Sequence, residues 1–121
     1  MFVPFVSGSA LFDAMIIIPT SMGTMGRIAN GVSDTTIARA ADVFLKERRK
    51  LILVPRESPY NLIHLRNMAA LTEAGAIIIP ASPSFYGQPQ TIVDLVDSIV
   101  ARVLDKLGIE NHLAKRWQHN A

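Results

Sequence analysis

Three short aliphatic runs punctuate the chain, and each closes on a proline: MIIIPTS (15–21), KLILVPRES (50–58) and AIIIPASPS (76–84). Consecutive aliphatic residues without polar alternation suit a strand covered on both faces, and the proline stops the strand where its backbone leaves the ladder. The runs predict three parallel strands. Between and after them the apolar period lengthens to three and four. DTTIARAADVFLKERR (34–49) aligns Ile37, Ala40, Ala41, Phe44 and Leu45, with Asp34 placed to cap the start and cations gathered where a helix dipole favours them. SPYNLIHLRNMAALTEAG (58–75) aligns Leu62, Leu65, Met68, Ala69 and Leu71 before Gly75 as a stop. TIVDLVDSIVARVLDKLG (91–108) aligns Ile92, Leu95, Val96, Ile99, Val103, Leu104 and Leu107, ending at Gly108.

Strand and helix therefore alternate three times before a short tail containing Trp117. Such alternation requires parallel pairing through right-handed crossovers, so the class is α/β with a doubly wound, three-layer parallel sheet in one domain, residues 1–121. Ligands of open α/β sheets bind beyond the carboxyl ends of the strands. Here all three ends are polar: PTSMGT, PRESP and PASPSFYG.

Composition narrows the chemistry mainly by exclusion. Half of the 121 residues are hydrophobic and 18% are charged, which excludes a disordered chain and points to surface hidden in a homo-oligomer. The net charge of +2 is scattered, so no nucleic-acid partner is expected. Cysteine is absent, which removes disulfides, thiolate nucleophiles and Cys-based metal sites; the expected compartment is cytoplasmic. No apolar run approaches the ~20 residues of a membrane span, and the N-terminus lacks the basic region of a signal peptide. His64, His112 and His119 lack ligand spacing, so neither a metal site nor a histidine triad is expected.

The strand ends hold the candidate chemistry. Ser21, Met22, Gly23 and Thr24 offer hydroxyls and approachable backbone N–H groups in what reads as a loop before a helix, suited to an anionic or polar heterocyclic ligand and equally to a plain capped turn. The loop matches neither a P-loop nor the GxGxxG fingerprint. Arg56 and Glu57 leave a buried strand together, so they should be paired with each other, face a ligand cleft, or both. Phe85 and Tyr86 set aromatic rings at the third end, as core, lid or phosphate donor. Lys46 lies in a cationic helix terminus that is ordinarily solvated, and Arg102 interrupts an amphipathic helix where it either faces water or serves an anion. Trp117 reads as a packing anchor for the terminal segment.

In order along the chain, RAADVFLKERR, VPRESPYNLIHLRNM and PASPSFYGQPQTIVDLVDSIVARVLD resemble the flavin prenyltransferase family of UbiX type, formerly described as aromatic acid decarboxylases. The resemblance runs from about Ser7 to Trp117. It implies a flavodoxin-like sheet and a large homo-oligomer, typically a dodecamer. It also implies a transferase that joins the prenyl group of dimethylallyl monophosphate to N5 and C6 of reduced FMN, without metal. The prenylated FMN serves a partner decarboxylase of UbiD type, as in ubiquinone biosynthesis. By position, Ser21 to Thr24 match the family's FMN loop and Arg56 an arginine at the flavin and phosphate site. Lys46 (from an adjacent subunit), Tyr86 and Arg102 match residues that bind the prenyl phosphate; Trp117 matches an aromatic residue near that pocket. Glu57 matches a carboxylate implicated in proton movement. Family members begin with a strand and a GxSGxxG loop that this sequence does not show, so the chain is expected to be the C-terminal part of a UbiX-type domain, with its sheet incomplete at the N-terminus. The alternatives are a flavin-binding, oligomer-forming remnant without turnover, and a related flavin-dependent decarboxylase acting on peptidyl cysteine.

Overall fold

The computed structural model describes residues 14–114, so Trp117 lies outside the described residues. The chain divides into two compact units, 1–80 and 81–121. In the first, β1 (Ala14–Thr20), α1 (Met22–Ala29), α2 (Thr36–Lys46), β2 (Lys50–Pro55), α3 (Leu62–Ala74) and β3 (Ile77–Ile78) follow in order. The strands form a parallel sheet in the order β1-β2-β3, as their aliphatic runs predict.

β2 is the central strand, and Leu51, Ile52, Leu53 and Val54 are almost completely buried. Alternation sends Leu51 and Leu53 to one face, where they join Met25 and Ile28 of α1, Ala38, Ala41 and Phe44 of α2, and Leu71 of α3 in one core. β1 is covered less completely. Ile17 packs against that core, whereas Ile16 and Ile18 on the opposite face are 36% and 52% exposed.

Several features differ from expectation. The residues after Thr20 are not an extended loop: they form α1, with Ser21 as its N-cap. Two glycines in MGTMGRIA hid this helix from the periodicity. Gly26 has a packing role, since a Cβ there would lie 3.3 Å from the Asn67 amide nitrogen on α3. The start of α2 is capped by Thr35, whose hydroxyl accepts the Ala38 N–H at 3.0 Å, while Asp34 instead pairs with Arg27 at 3.2 Å.

At the end of α2, the Arg48 and Arg49 N–H groups donate to the carbonyls of Leu45 (3.2 Å) and Phe44 (2.8 Å). This is a Schellman closure with arginine, at φ 58°, where glycine is usual. α3 opens with a reciprocal box in which Asn61 and His64 each accept the other's N–H, and closes on Gly75 at φ 113°. Its core-facing residues are Met68 and Leu71, so Leu62 and Leu65, expected on the buried face, are exposed. Apolar residues on several faces of this helix make its inner side ambiguous from spacing alone.

In the second unit an irregular segment leads into α4 (Ile92–Leu107). The Thr91 hydroxyl accepts the Asp94 N–H, and the Asp94 carboxylate accepts the Thr91 N–H in return. Ser98 fastens the preceding segment to the helix by accepting the Ser84 N–H at 3.0 Å while donating to the Leu95 carbonyl at 2.6 Å. Ala101 and Val103 are buried, and Ile92, Val93 and Val96 are exposed.

Candidate active site

Register fixes the site's foundation. Thr20 is the partner of Pro55 at the carboxyl edge of the parallel pair, so Ser21 and Arg56 leave adjacent strands at the same edge. The structure thus brings together the first two polar strand ends.

Just before this edge the β1–β2 register shifts between Ile17 and Thr20, across Pro19, which has no N–H to give. Thr20 is buried there at 1% exposure. Its hydroxyl donates to the Ile17 carbonyl at 2.6 Å and accepts the Val54 N–H at 3.0 Å. The sequence groups Thr20 with the ligand-facing hydroxyls of the first strand end, whereas its hydroxyl is turned inward and spent on the sheet.

Ser21 is exposed, and its hydroxyl oxygen accepts the Thr24 N–H at 3.0 Å and lies 3.0 Å from the Thr24 hydroxyl. Met22 to Thr24 therefore form the first turn of α1, and Gly23 carries no side chain over the backbone there. The partial positive charge of a helix N-terminus and outward-facing N–H groups suit an anionic or hydrogen-bond-accepting ligand.

Arg56 and Glu57 are both exposed, and neither enters an ion pair among the described residues. Strand β2 ends at Pro55, one residue before them, so both side chains reach water and the mutual pairing expected for a buried couple is not needed. Opposite charges thus sit free at the edge beside Ser21.

Lys46 is placed differently. It is the last residue of α2, and the chain turns from it into β2 at Lys50, at the amino edge of the sheet. With β2 six residues long, Lys46 stands about 15–20 Å from the Ser21–Arg56 edge of its own chain. In the second unit, Phe85 and Tyr86 are 67% and 51% exposed, and the Tyr86 N–H donates to Ser84 Oγ at 3.3 Å. Arg102 on α4 is exposed, between the buried Ala101 and Val103. Asp94 is held below its ordinary pKa of 3.8, first by the Gln90 N–H and then, against an opposing effect of desolvation, by the Thr91 N–H and hydroxyl. Among the described residues no group of three or more His, Asp or Glu is placed to hold a metal ion, and no described helix is long and apolar enough to cross a membrane.

A family model described as Flavoprotein matches residues 1–104. The chain belongs to the flavoprotein family. Within it, this flavoprotein is similar to the flavin prenyltransferase UbiX of Methanocaldococcus jannaschii, at 53% identity over 116 residues covering 96% of this chain and 63% of the relative. It is also similar to the flavin prenyltransferase UbiX of Pseudomonas aeruginosa, at 54% identity over 114 residues covering 94% and 54%. The chain thus spans 54–63% of the length of these relatives.

Among solved structures, AnUbiX in complex with FMN and dimethylallyl pyrophosphate superimposes with a TM-score of 0.93 at 48% identity, over 95% of this chain and 61% of that one. A dodecameric FMN-dependent UbiX-like decarboxylase from Escherichia coli O157:H7 gives 0.92 at 51%, over 96% and 63%. The fold of this flavoprotein is therefore the flavodoxin-like α/β fold of its UbiX neighbours. The peptidyl-cysteine decarboxylase EpiD, at 19% identity and a TM-score of 0.56, shares the fold alone.

Proposed function

We propose that this chain contributes the Ser21 and Arg56–Glu57 edge of a flavin prenyltransferase site. The observation that carries this reading is the Thr20–Pro55 register, which sets a capped helix start and an exposed Arg–Glu pair side by side in a chain about 53% identical to UbiX enzymes. In this reading Ser21, Met22, Gly23, Thr24 and Arg56 hold FMN. The fit rests on the small residues and N–H groups of the first turn of α1, against which the Arg27 guanidinium lies, and on Arg56 at the neighbouring strand end. Reduced FMN is the acceptor of a dimethylallyl group at N5 and C6.

Arg56 supplies charge-assisted, bidentate hydrogen bonding to anionic oxygen. Glu57, in water and beside that arginine, is the group that moves a proton during the transfer. Lys46, Tyr86 and Arg102 hold the phosphate of dimethylallyl monophosphate as it leaves, with Trp117 beside the prenyl chain. Because Lys46 sits at the far edge of its own sheet, it serves the site of a second copy, which makes a homo-oligomer part of the active arrangement. A dodecamer is the expected size, after the E. coli neighbour. The prenylated flavin passes to a UbiD-type decarboxylase, with ubiquinone biosynthesis as the expected setting and the cytoplasm as the location.

Anaerobic incubation of the purified chain with reduced FMN and dimethylallyl monophosphate tests the reading. A changed flavin absorbance spectrum and a mass increase of one dimethylallyl group are expected. Flavin that is retained but unmodified would instead support the remnant that binds without turnover.

A further inference from the structure

We propose that Thr20 is a positioning residue whose hydroxyl sets the offset between the Ser21 helix start and the Arg56–Glu57 strand end. Its consequence for flavin rests on the function proposed above; its structural content does not. From the pair Ile17–Leu53 to the pair Thr20–Pro55, β1 advances three residues while β2 advances two. The extra residue is a bulge of the kind that re-aims a strand end. Pro19 lies inside it and contributes no donor, so the ladder is interrupted one step before the site begins.

A single buried hydroxyl bridges that interruption. Thr20 Oγ1 donates to Ile17 on its own strand and accepts from Val54 on the neighbouring one, so it fastens the bulge to itself and to β2. Ser21 follows Thr20 directly, and Arg56 follows Val54 by two residues. The hydroxyl is therefore a buried side-chain tie at the bulge, next to the Thr20–Pro55 pair where both groups leave the sheet.

Valine matches threonine in shape and in preference for strand conformation, but it leaves the Val54 N–H and the Ile17 carbonyl without this partner. The offset is then held by the Thr20–Pro55 backbone pair without the side-chain tie, and site geometry is sensitive to displacements near 1 Å. Serine keeps the hydroxyl and drops only the methyl group.

The test compares the 121-residue chain with its T20V and T20S variants by amide NMR in the absence of flavin, then by FMN titration. In the wild type, Val54 is expected to exchange slowly, and the Thr20 hydroxyl proton to show a cross-relaxation peak to the Val54 amide. A fast-exchanging Val54 without that peak overturns the proposal with no variant needed. In T20V, Val54 exchange is expected to rise at least tenfold, and the amide resonances of Ser21, Thr24, Arg56 and Glu57 to move together while those of Leu51 and Ile52 stay. T20S is expected to keep the wild-type resonances. Should T20V fail to fold, T20S decides: resonances displaced at both strand ends would make the methyl group, not the hydroxyl, responsible and overturn the proposal.

With FMN, affinity is expected to fall about tenfold in T20V and to stay within about threefold in T20S. Equal affinity of T20V and wild type would remove the positioning consequence. A wild type that takes up no flavin would instead refute the proposed function, and the flavin-free spectra would still decide the role of Thr20.

Discussion

Ser21 caps its own helix, and the proposed site gives it a second, separable role toward the ligand. α1 has eight residues and no acidic residue in its first turn, so the Ser21 side chain is what anchors its start. Ser21→Ala removes the acceptor of the Thr24 N–H and is expected to destabilise the chain by about 1 kcal/mol, a typical N-cap loss. For a chain of this size that lowers Tm by about 4 °C. Ser21→Asp keeps an equally good cap and adds a negative charge that the helix dipole favours, so its Tm should equal or exceed that of the wild type.

Flavin binding should rank the variants differently. A carboxylate about 4 Å from an anionic group opposes it by about 1 kcal/mol in bulk water and about 4 kcal/mol at a protein surface. Ser21→Asp is therefore expected to weaken FMN at least about fivefold, and Ser21→Ala by only about threefold. Thermal melting followed by circular dichroism reads the first ordering, and titration of flavin absorbance the second. A Ser21→Asp variant that is stable and binds FMN like the wild type would refute the placement of the flavin's anionic portion at α1. An unchanged Tm in Ser21→Ala would refute the capping argument.

Three further outcomes follow from the geometry. Arg48→Gly should stabilise the chain by about 1 kcal/mol relative to Arg48→Ala, since only glycine adopts φ near 58° without steric cost; equal denaturation midpoints would contradict this. Glu57→Gln is exposed and should leave Tm unchanged while lowering the rate of prenyl transfer by about a hundredfold or more; single-turnover kinetics at the wild-type rate would remove Glu57 from the proton step. The depressed pKa of Asp94 means that its share of stability is present above pH 3.8 and fades as acid protonates the folded form; helical signal followed between pH 5 and 2 should therefore lose part of its pH dependence in Asp94→Asn, and identical acid profiles would count against the carboxylate cap.

What the sequence made legible follows from how locally each feature is determined. The strands were readable because an aliphatic run ended by proline has few other uses, and β2 became the buried centre of the sheet. α4 was readable from its apolar spacing and from Gly108, which ends it. α1 was not, because Gly23 and Gly26 dilute its helical character and the requirement for Gly26 arises only when α3 packs against it. The adjacency of Ser21 and Arg56 was legible as two polar ends of parallel strands. The tie between them was not, because the bond from Thr20 to Val54 spans 34 residues and depends on a bulge that no spacing announces. Placing Lys46 at the opposite edge likewise required the direction of α2 against the sheet.

The cap on α1 also sets the stoichiometry of recognition. Of the N–H groups that open the helix, Thr24 is already committed to the Ser21 hydroxyl and Met25 to the Ser21 carbonyl, which leaves those of Met22 and Gly23 to offer outward. A phosphate presents three strongly accepting oxygens, so this helix start alone undersupplies donors to one. In the proposed site the remaining valence falls to cationic side chains. Arg27 already lies against this turn, its guanidinium nitrogen 3.4 Å from where a Cβ on Gly23 would stand; in the proposed site Arg56, and Lys46 from a second copy, add the rest.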